Sequence, residues 1–187
     1  MDNEVPKIRE AIEKASNRGV ITLASASNEG LNKPITFPAS IGEPMVFCIG
    51  SADATGTRSR FSPVAKGTPK YSAIGEAVLG AGFSKPDWTP KRVRKDGTSI
   101  STPVTAGIAA QLIEYTRQFL DPREDAASFE NMRKLFLAMS IESRGRSYRF
   151  LAPWSLFGFD SDAVRKEKFK EILSAPPSNF ILTNSPF

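Results

Sequence analysis

The first part of the chain combines a helical spacing of apolar residues with a short, continuous apolar run. Between Ile8 and Ala15 apolar residues recur every three or four positions with charged residues between them, which predicts an amphipathic helix over residues 5–18. Residues 20–24 read Val-Ile-Thr-Leu-Ala, a run typical of a strand that is buried on both faces of a parallel sheet. A helix, a turn and a buried strand in this order predict an α/β fold.

The same two patterns recur further along the chain. An apolar run at residues 45–49 predicts a second buried strand. Helical spacing returns in three later segments, at residues 101–120, 129–139 and 162–173. With 187 residues and 40% hydrophobic content, the chain is expected to form one globular unit around one ordinary core.

Ser99 lies where the helix at residues 101–120 is expected to begin. Gly97 precedes it and the apolar helical pattern follows, so Ser99 is expected at or just before a helix start. Its hydroxyl would face free backbone N–H groups and the positive end of the helix dipole, which stabilise the negative charge generated by a nucleophile. A serine that only caps a helix would occupy the same position.

The sequence around Ser99 resembles the nucleophile motif of the subtilisin-like serine proteases. Residues 97–103 read G-T-S-I-S-T-P and are followed by Ala-Gly at residues 106–107. The motif of the family reads G-T-S-M-A-T/S-P-x-x-A-G. The resemblance implies that Ser99 is the nucleophile of a serine-type endopeptidase that acts on peptide or protein substrates.

A second string resembles another block of the same family. Residues 25–30 read Ser-Ala-Ser-Asn-Glu-Gly, where the family has A-A-A-G-N-E-G. The match implies that Asn28 is the oxyanion-hole asparagine and that Ser25, Ala26 and Ser27 contribute to the wall of the substrate pocket. Ser27 stands where the family usually has glycine, so its side chain is expected to narrow or reshape that pocket.

The resemblance extends over residues 5–120 and implies a fold as well as a site. It corresponds to the C-terminal half of a subtilase catalytic domain, so we expect a partial doubly wound, mostly parallel sheet over residues 1–120. Residues 121–187 are then expected to form a helical C-terminal extension. By the same resemblance, the strands that carry the catalytic aspartate and histidine belong upstream of Met1, and a missing N-terminal half is an expected partner.

The composition limits the chemistry of this site, because the chain contains no histidine. A Ser-His-Asp enzyme needs an imidazole to accept the serine proton near neutral pH. A zinc site that uses histidine is excluded for the same reason, and one cysteine cannot form a thiolate site or an intrachain disulfide. No carboxylate cluster suggests calcium, so no metal or cofactor is predicted. Cys48, inside the second apolar run, is expected to be a buried structural thiol.

The net charge of +5 adds one further hypothesis. Basic residues concentrate at positions 90–96, a run that is expected to form an exposed loop or an edge hairpin. It lacks interleaved aromatic residues, so nucleic-acid binding is not expected. No apolar run approaches the roughly 20 residues that a membrane span needs, and the N-terminus lacks the pattern of a secretory signal. A cytoplasmic location is therefore the default, and the compartment is left open.

Three functional hypotheses follow. The leading one is a subtilisin-like serine endopeptidase with its nucleophile and oxyanion asparagine present but its histidine and aspartate missing, which is inactive as an isolated chain. The alternative is a non-catalytic peptide-binding or interaction module that is derived from a protease. The third is a basic nucleic-acid binder, which depends only on the run at residues 90–96.

Overall fold

A computed structural model describes residues 4–65, 70–83, 86–143, 148–158 and 161–176. Helices and strands alternate through most of this part, as the apolar pattern predicts. The helices are α1 Pro6–Ser16, α2 Thr98–Phe119, α3 Phe129–Met139, α4 Trp154–Phe157 and α5 Asp162–Ser174. The strands are β1 Thr22–Ser25, β2 Val46–Ala52, β3 Tyr71–Ile74, β4 Val78–Phe83, β5 Pro90–Lys95, β6 Ser140–Glu142 and β7 Arg149–Leu151.

Five of the strands form the main sheet in the order β1-β2-β3-β7-β6. The first four are parallel to one another, and β6 pairs antiparallel with β7 at one edge. The prediction of a mostly parallel α/β sheet with helices in the C-terminal part is therefore confirmed. Strand β1 forms the other edge and pairs with β2 alone among the described strands.

Strand β2 lies inside the sheet and is buried along its whole length. Side chains alternate between the two faces of a strand, so Phe47 and Ile49 face one layer while Val46 and Cys48 face the other. Cys48 is a free, buried cysteine, as predicted, and burial raises the pKa of its thiol to about 12. This raised pKa keeps the thiol protonated and unreactive at neutral pH.

The larger core lies between the sheet and helices α2, α3 and α5. The Phe47 ring stacks on Phe129 with a centroid distance of 4.0 Å and contacts Phe136 at 5.2 Å. Leu112 of α2 and Leu135 of α3 are fully buried in the same cluster. Because α2 packs on β1, β2 and β3, its amino end is held against the sheet.

Helix α2 begins at Thr98, so Ser99 is its second residue. Its buried face is partly polar and includes Thr98, Ser101 and Thr105. Gly107 lies on the exposed side of this helix. A Cβ atom on Gly107 would meet nothing within 4 Å, because this residue faces away from the sheet.

Residue 120 does not interrupt the sheet or the core. Strand β7 lies after this residue and pairs in parallel with β3, while Met132 and Phe169 lie in the same cluster as Phe47. The division of the chain into residues 1–120 and 121–187 stays a prediction. Among the helices that the structure describes, none has the length and apolar composition needed to cross a membrane.

Strands β4 and β5 form a separate antiparallel hairpin. The basic run at residues 90–96 therefore lies in a hairpin, which is one of the two structures expected for it. The hairpin connects β3 to α2 and so leads directly into the turn that precedes Ser99.

Candidate active site

The candidate site lies where β1 and β3 end and α2 begins. After β1, the Ala26 N–H donates to the Ile49 carbonyl at 2.9 Å, and after β3, the Gly75 N–H donates to the Ala52 carbonyl at 2.9 Å. Both loops therefore leave the carboxyl edge of the parallel sheet, which is where α/β sheets bind ligands.

Two glycines bring the start of α2 against this edge. The Gly97 N–H donates to the Gly75 carbonyl at 2.8 Å. A Cβ atom on Gly75 would collide with the Ser51 hydroxyl and would lie 2.8 Å from the Gly97 carbonyl oxygen. The close approach of the two backbones therefore requires a residue without a side chain at position 75.

Asn28 is held by the residue that precedes Ser99. Its Oδ1 atom accepts hydrogen bonds from the Thr98 N–H at 2.8 Å and from the Thr98 hydroxyl at 3.0 Å. A backbone N–H can only donate, so this contact identifies the amide oxygen and fixes the orientation of the side chain. The Nδ2 donor has no hydrogen-bond acceptor among the described residues, and Asn28 is exposed.

The backbone donors at the start of α2 give a second free group. The N–H groups of Gly97, Thr98 and Ile100 all have acceptors. The Ser99 N–H has none within the described ranges. A Cβ atom on Gly97 would lie 3.4 Å from Asn28 Nδ2 and 3.7 Å from Ser99 N, so both donors border the same small space. The structure therefore brings Asn28 to Thr98, which is 70 residues away in sequence, and so places it beside Ser99.

The Ser99 hydroxyl is exposed and makes no hydrogen bond with any residue that the structure describes. Its neighbours differ, since the Ser101 and Thr102 hydroxyls both donate to the Thr98 carbonyl, at 3.1 and 2.7 Å. Gly97 occupies the N-cap position and the helix has no side-chain cap. Ser99 therefore does not serve as a helix cap.

The three predicted pocket residues run from the end of β1 to the residue before Asn28. Ser25 is the last residue of β1, the Ala26 side chain is fully buried, and Ser27 is half-buried. Their contribution to a substrate pocket stays a prediction. The Ser27 carbonyl also accepts a hydrogen bond from the Thr98 hydroxyl at 3.3 Å, so Thr98 is bonded to two consecutive residues of this loop.

Ser27 adopts a backbone conformation that favours glycine, with φ at 126°. A residue with a Cβ atom pays about 1–2 kcal/mol for such a conformation. We expect Ser27→Gly to raise the free energy of unfolding by about 1 kcal/mol, measured by urea denaturation.

Ser25→Gly is the matched control, because Ser25 lies in an extended strand. In a strand, glycine only adds flexibility to the unfolded chain. Ser25→Gly is therefore expected to lower the free energy of unfolding by about 0.5–1 kcal/mol. Equal losses for both variants would contradict the assignment of strain to Ser27.

Sequence reasoning missed the role of Thr98, which fixes the Asn28 amide through both its backbone and its hydroxyl. The signal was available, since Thr98 is the middle residue of the G-T-S string. Within the described ranges no three histidine, cysteine, aspartate or glutamate side chains are grouped as a metal site would need.

Comparisons with known proteins give the chain a family. The subtilase family model matches residues 1–148. Alkaline protease 1 of Aspergillus clavatus is 30% identical over 103 residues, which are 55% of this chain and 24% of that protein. The major intracellular serine protease of Bacillus subtilis is 28% identical over 120 residues, which are 62% of this chain and 35% of that protein. The chain thus spans only a minor part of the length of these relatives.

A solved structure of a protein from the comparison has a similar fold. The PatG macrocyclase in complex with peptide superimposes with a TM-score of 0.66 at 22% identity, over 94% of this chain and 50% of that one. This likeness is one of fold, and it agrees with the mostly parallel sheet and its helices. Since the family model covers most of the sequence, the chain belongs to the subtilase family.

Proposed function

We propose that this chain supplies the nucleophile and the oxyanion donors of a subtilisin-like serine endopeptidase. Ser99 is the nucleophile, and the Asn28 side-chain amide and the Ser99 N–H are the donors. The observation that carries the proposal is a pair of donors that have no acceptor among the described residues and border one space. They lie beside an exposed serine hydroxyl that makes no hydrogen bond within the same part of the chain.

The chemistry follows from this arrangement. Ser99 Oγ attacks the carbonyl carbon of the scissile peptide bond, and the carbonyl oxygen gains negative charge. Donors that are already oriented stabilise that charge in the transition state without further reorganisation. The two hydrogen bonds from Thr98 to Asn28 Oδ1 supply this orientation, because they hold the amide group in one position.

The serine proton requires an acceptor that this chain does not contain. Histidine is the side chain whose pKa suits this transfer near neutral pH, and the sequence has none. In subtilisin, loss of the histidine alone lowers turnover by about 10⁶-fold. We therefore propose that the 187-residue chain is inactive in isolation.

The proposal includes a partner segment that carries the missing histidine and aspartate. Two features support it. Strand β1 has a neighbour on one side only among the described strands. The face of α2 that contains Pro103, Ala106, Gly107 and Ala110 is exposed along the helix that begins beside the site.

Peptides or proteins are the proposed substrates. The two curated relatives are both named as proteases, and the PatG macrocyclase of similar fold was solved with a peptide. A peptide carbonyl is also the group that a serine nucleophile and an oxyanion site would process together.

The alternative is a peptide-binding module without catalysis, and the absence of histidine favours it. The two candidate functions differ in whether an added base produces turnover. A pure binding module would hold peptides in a saturable way and would show no Ser99-dependent turnover, even when a proton acceptor is supplied in solution.

An active-site serine probe tests the proposed inactivity. The purified chain and Ser99→Ala are incubated with a fluorophosphonate, and hydrolysis of a protein substrate is measured in parallel. Both proteins are expected to give the same low background in both assays. Clear labelling and hydrolysis by the unmodified chain, lost in Ser99→Ala, would overturn the inactivity.

A further inference from the structure

The β4–β5 hairpin has one face that combines apolar and basic side chains. In its register Leu79 lies opposite Arg94, Ala81 opposite Arg92, and Phe83 opposite Pro90. Residues directly opposite in an antiparallel pair project from the same face. An apolar row along β4 therefore lies beside a row with two arginines along β5. Leu79 and Phe83 are 51% and 59% exposed.

The opposite face of the hairpin is different in character. Val93 lies opposite Gly80 in the register, and its side chain covers Gly82, where a Cβ atom would collide with Val93 Cγ2 and lie 3.1 Å from Val93 Cγ1. The register places Lys91 opposite Gly82 and Lys95 opposite Val78, so both lysines belong to this second face. Lys91 and Arg92 are therefore adjacent in sequence, both exposed, and directed to opposite sides.

The basic side chains of β5 form no ion pair within the described part of the chain. Strand β5 contains Lys91, Arg92, Arg94 and Lys95, and neither strand contains an acidic residue. Arg94 donates to the Ala77 carbonyl at 2.7 Å, which holds its guanidinium beside the apolar row.

The hairpin is attached at the candidate active site. It leaves the sheet after Gly75 and returns at Gly97, and the hydrogen bond between these two residues closes its base. Thr98 and Ser99 follow at once. A polypeptide bound along the hairpin would therefore run toward the place that Asn28 and Ser99 border.

We propose that the face formed by Leu79, Ala81, Phe83, Arg92 and Arg94 binds an acidic, amphipathic segment of a polypeptide. The segment would place apolar side chains against the β4 row and carboxylates against the two arginines. Each of the two strands is six residues long, or about 20 Å. A helix of about 13 residues covers that length and presents two adjacent stripes of this kind.

The composition of the face favours a polypeptide over other anions. Single-stranded nucleic acids are held by a series of aromatic rings on which successive bases stack. The described part of the hairpin offers only Phe83 and Trp88, whose ring centroids lie 6.4 Å apart at its tip. Leu79 and Ala81 offer apolar contact but no stacking surface. An anionic membrane would be attracted by all four cations alike, since both faces of a thin hairpin lie near the lipid charge.

The test uses a fluorescent 14-residue helical peptide that has a leucine and phenylalanine stripe beside a glutamate stripe. Binding is measured by anisotropy on Ser99→Ala protein, so the outcome does not depend on catalysis. Saturable binding is expected. Arg92→Glu should weaken it about five- to tenfold, and Lys91→Glu about twofold or less at 0.15 M salt. Circular dichroism checks that both variants are folded.

The peptide provides a control that needs no protein variant. Exchange of its glutamates for glutamines should weaken binding at least as much as Arg92→Glu does. The absence of saturable binding, or equal losses for Lys91→Glu and Arg92→Glu, would overturn the proposal. Tighter binding of single-stranded DNA or of vesicles with anionic lipid than of the peptide would also overturn it. None of these outcomes bears on the role of Ser99.

Discussion

Asn28→Asp is expected to lower Ser99-dependent hydrolysis of an activated ester by about 10²–10³-fold when imidazole is supplied in solution. This is the range observed when subtilisin loses its oxyanion-hole asparagine. Imidazole replaces the missing proton acceptor, and the exposed Ser99 hydroxyl is open to it. The Ser99-dependent rate is the hydrolysis rate of each protein minus the rate of the same protein with Ser99→Ala.

Aspartate is chosen because it separates the acceptor role of the Asn28 side chain from its donor role. A carboxylate retains the acceptor for the Thr98 N–H and hydroxyl but replaces the Nδ2 donor with a negatively charged oxygen. The free energy of unfolding should therefore change little while the rate falls. Asn28→Leu removes both the acceptor and the donor, and it should also lower the free energy of unfolding by about 1–3 kcal/mol.

Asn32→Asp is the matched control, because Asn32 is exposed in the loop that follows and the substitution makes the same change of charge. It should leave the rate within about twofold at 0.15 M salt. An unchanged rate in Asn28→Asp would show that the Asn28 amide does not stabilise the oxyanion.

Gly75→Ala is expected to destabilise the protein by about 3 kcal/mol, the largest loss of stability that we expect from a single methyl group. The added Cβ would collide with the buried Ser51 hydroxyl and would lie 2.8 Å from the Gly97 carbonyl and 3.1 Å from Ser101 Cβ. Two of these neighbours belong to the turn and helix that carry Ser99. The strain should therefore also disturb the site.

Gly107→Ala should raise the free energy of unfolding, whereas Gly75→Ala lowers it. Gly107 lies inside α2, and its added methyl group would meet nothing within 4 Å. Alanine stabilises a helix interior by up to about 1 kcal/mol relative to glycine. Urea denaturation of both variants measures the contrast. A loss below 1 kcal/mol for Gly75→Ala would contradict the close packing of Gly75 against Gly97.

The sequence contained the elements of the fold wherever apolar side chains form a regular pattern. The spacing within α3 gave its bounds, Phe129 to Met139, and the apolar run at residues 45–49 located β2. Strand β7 is only three residues long, and a short strand carries too little pattern to be recognised. Its pairing with β3 depends on contacts distant in sequence.

The site was predictable for a different reason. The strings around Asn28 and Ser99 resemble two motifs of one family, so their proximity could be expected without a pattern of burial. The contacts that create the proximity could not be expected in this way. Thr98 is a polar residue that is 1% exposed, and hydropathy alone assigns such a residue to the surface. The strained backbone of Ser27 also depends on the folded loop.

The most direct test of the account is the position of the acyl group after reaction with an activated ester, with and without imidazole. Intact mass and peptide mapping locate the group. We expect a single acyl group on Ser99 that accumulates only with imidazole and rises with the unprotonated fraction of the base. Acylation of Ser99 at the same rate without imidazole, or acylation of other serines in preference to Ser99, would contradict the claim that Ser99 is a nucleophile without a proton acceptor.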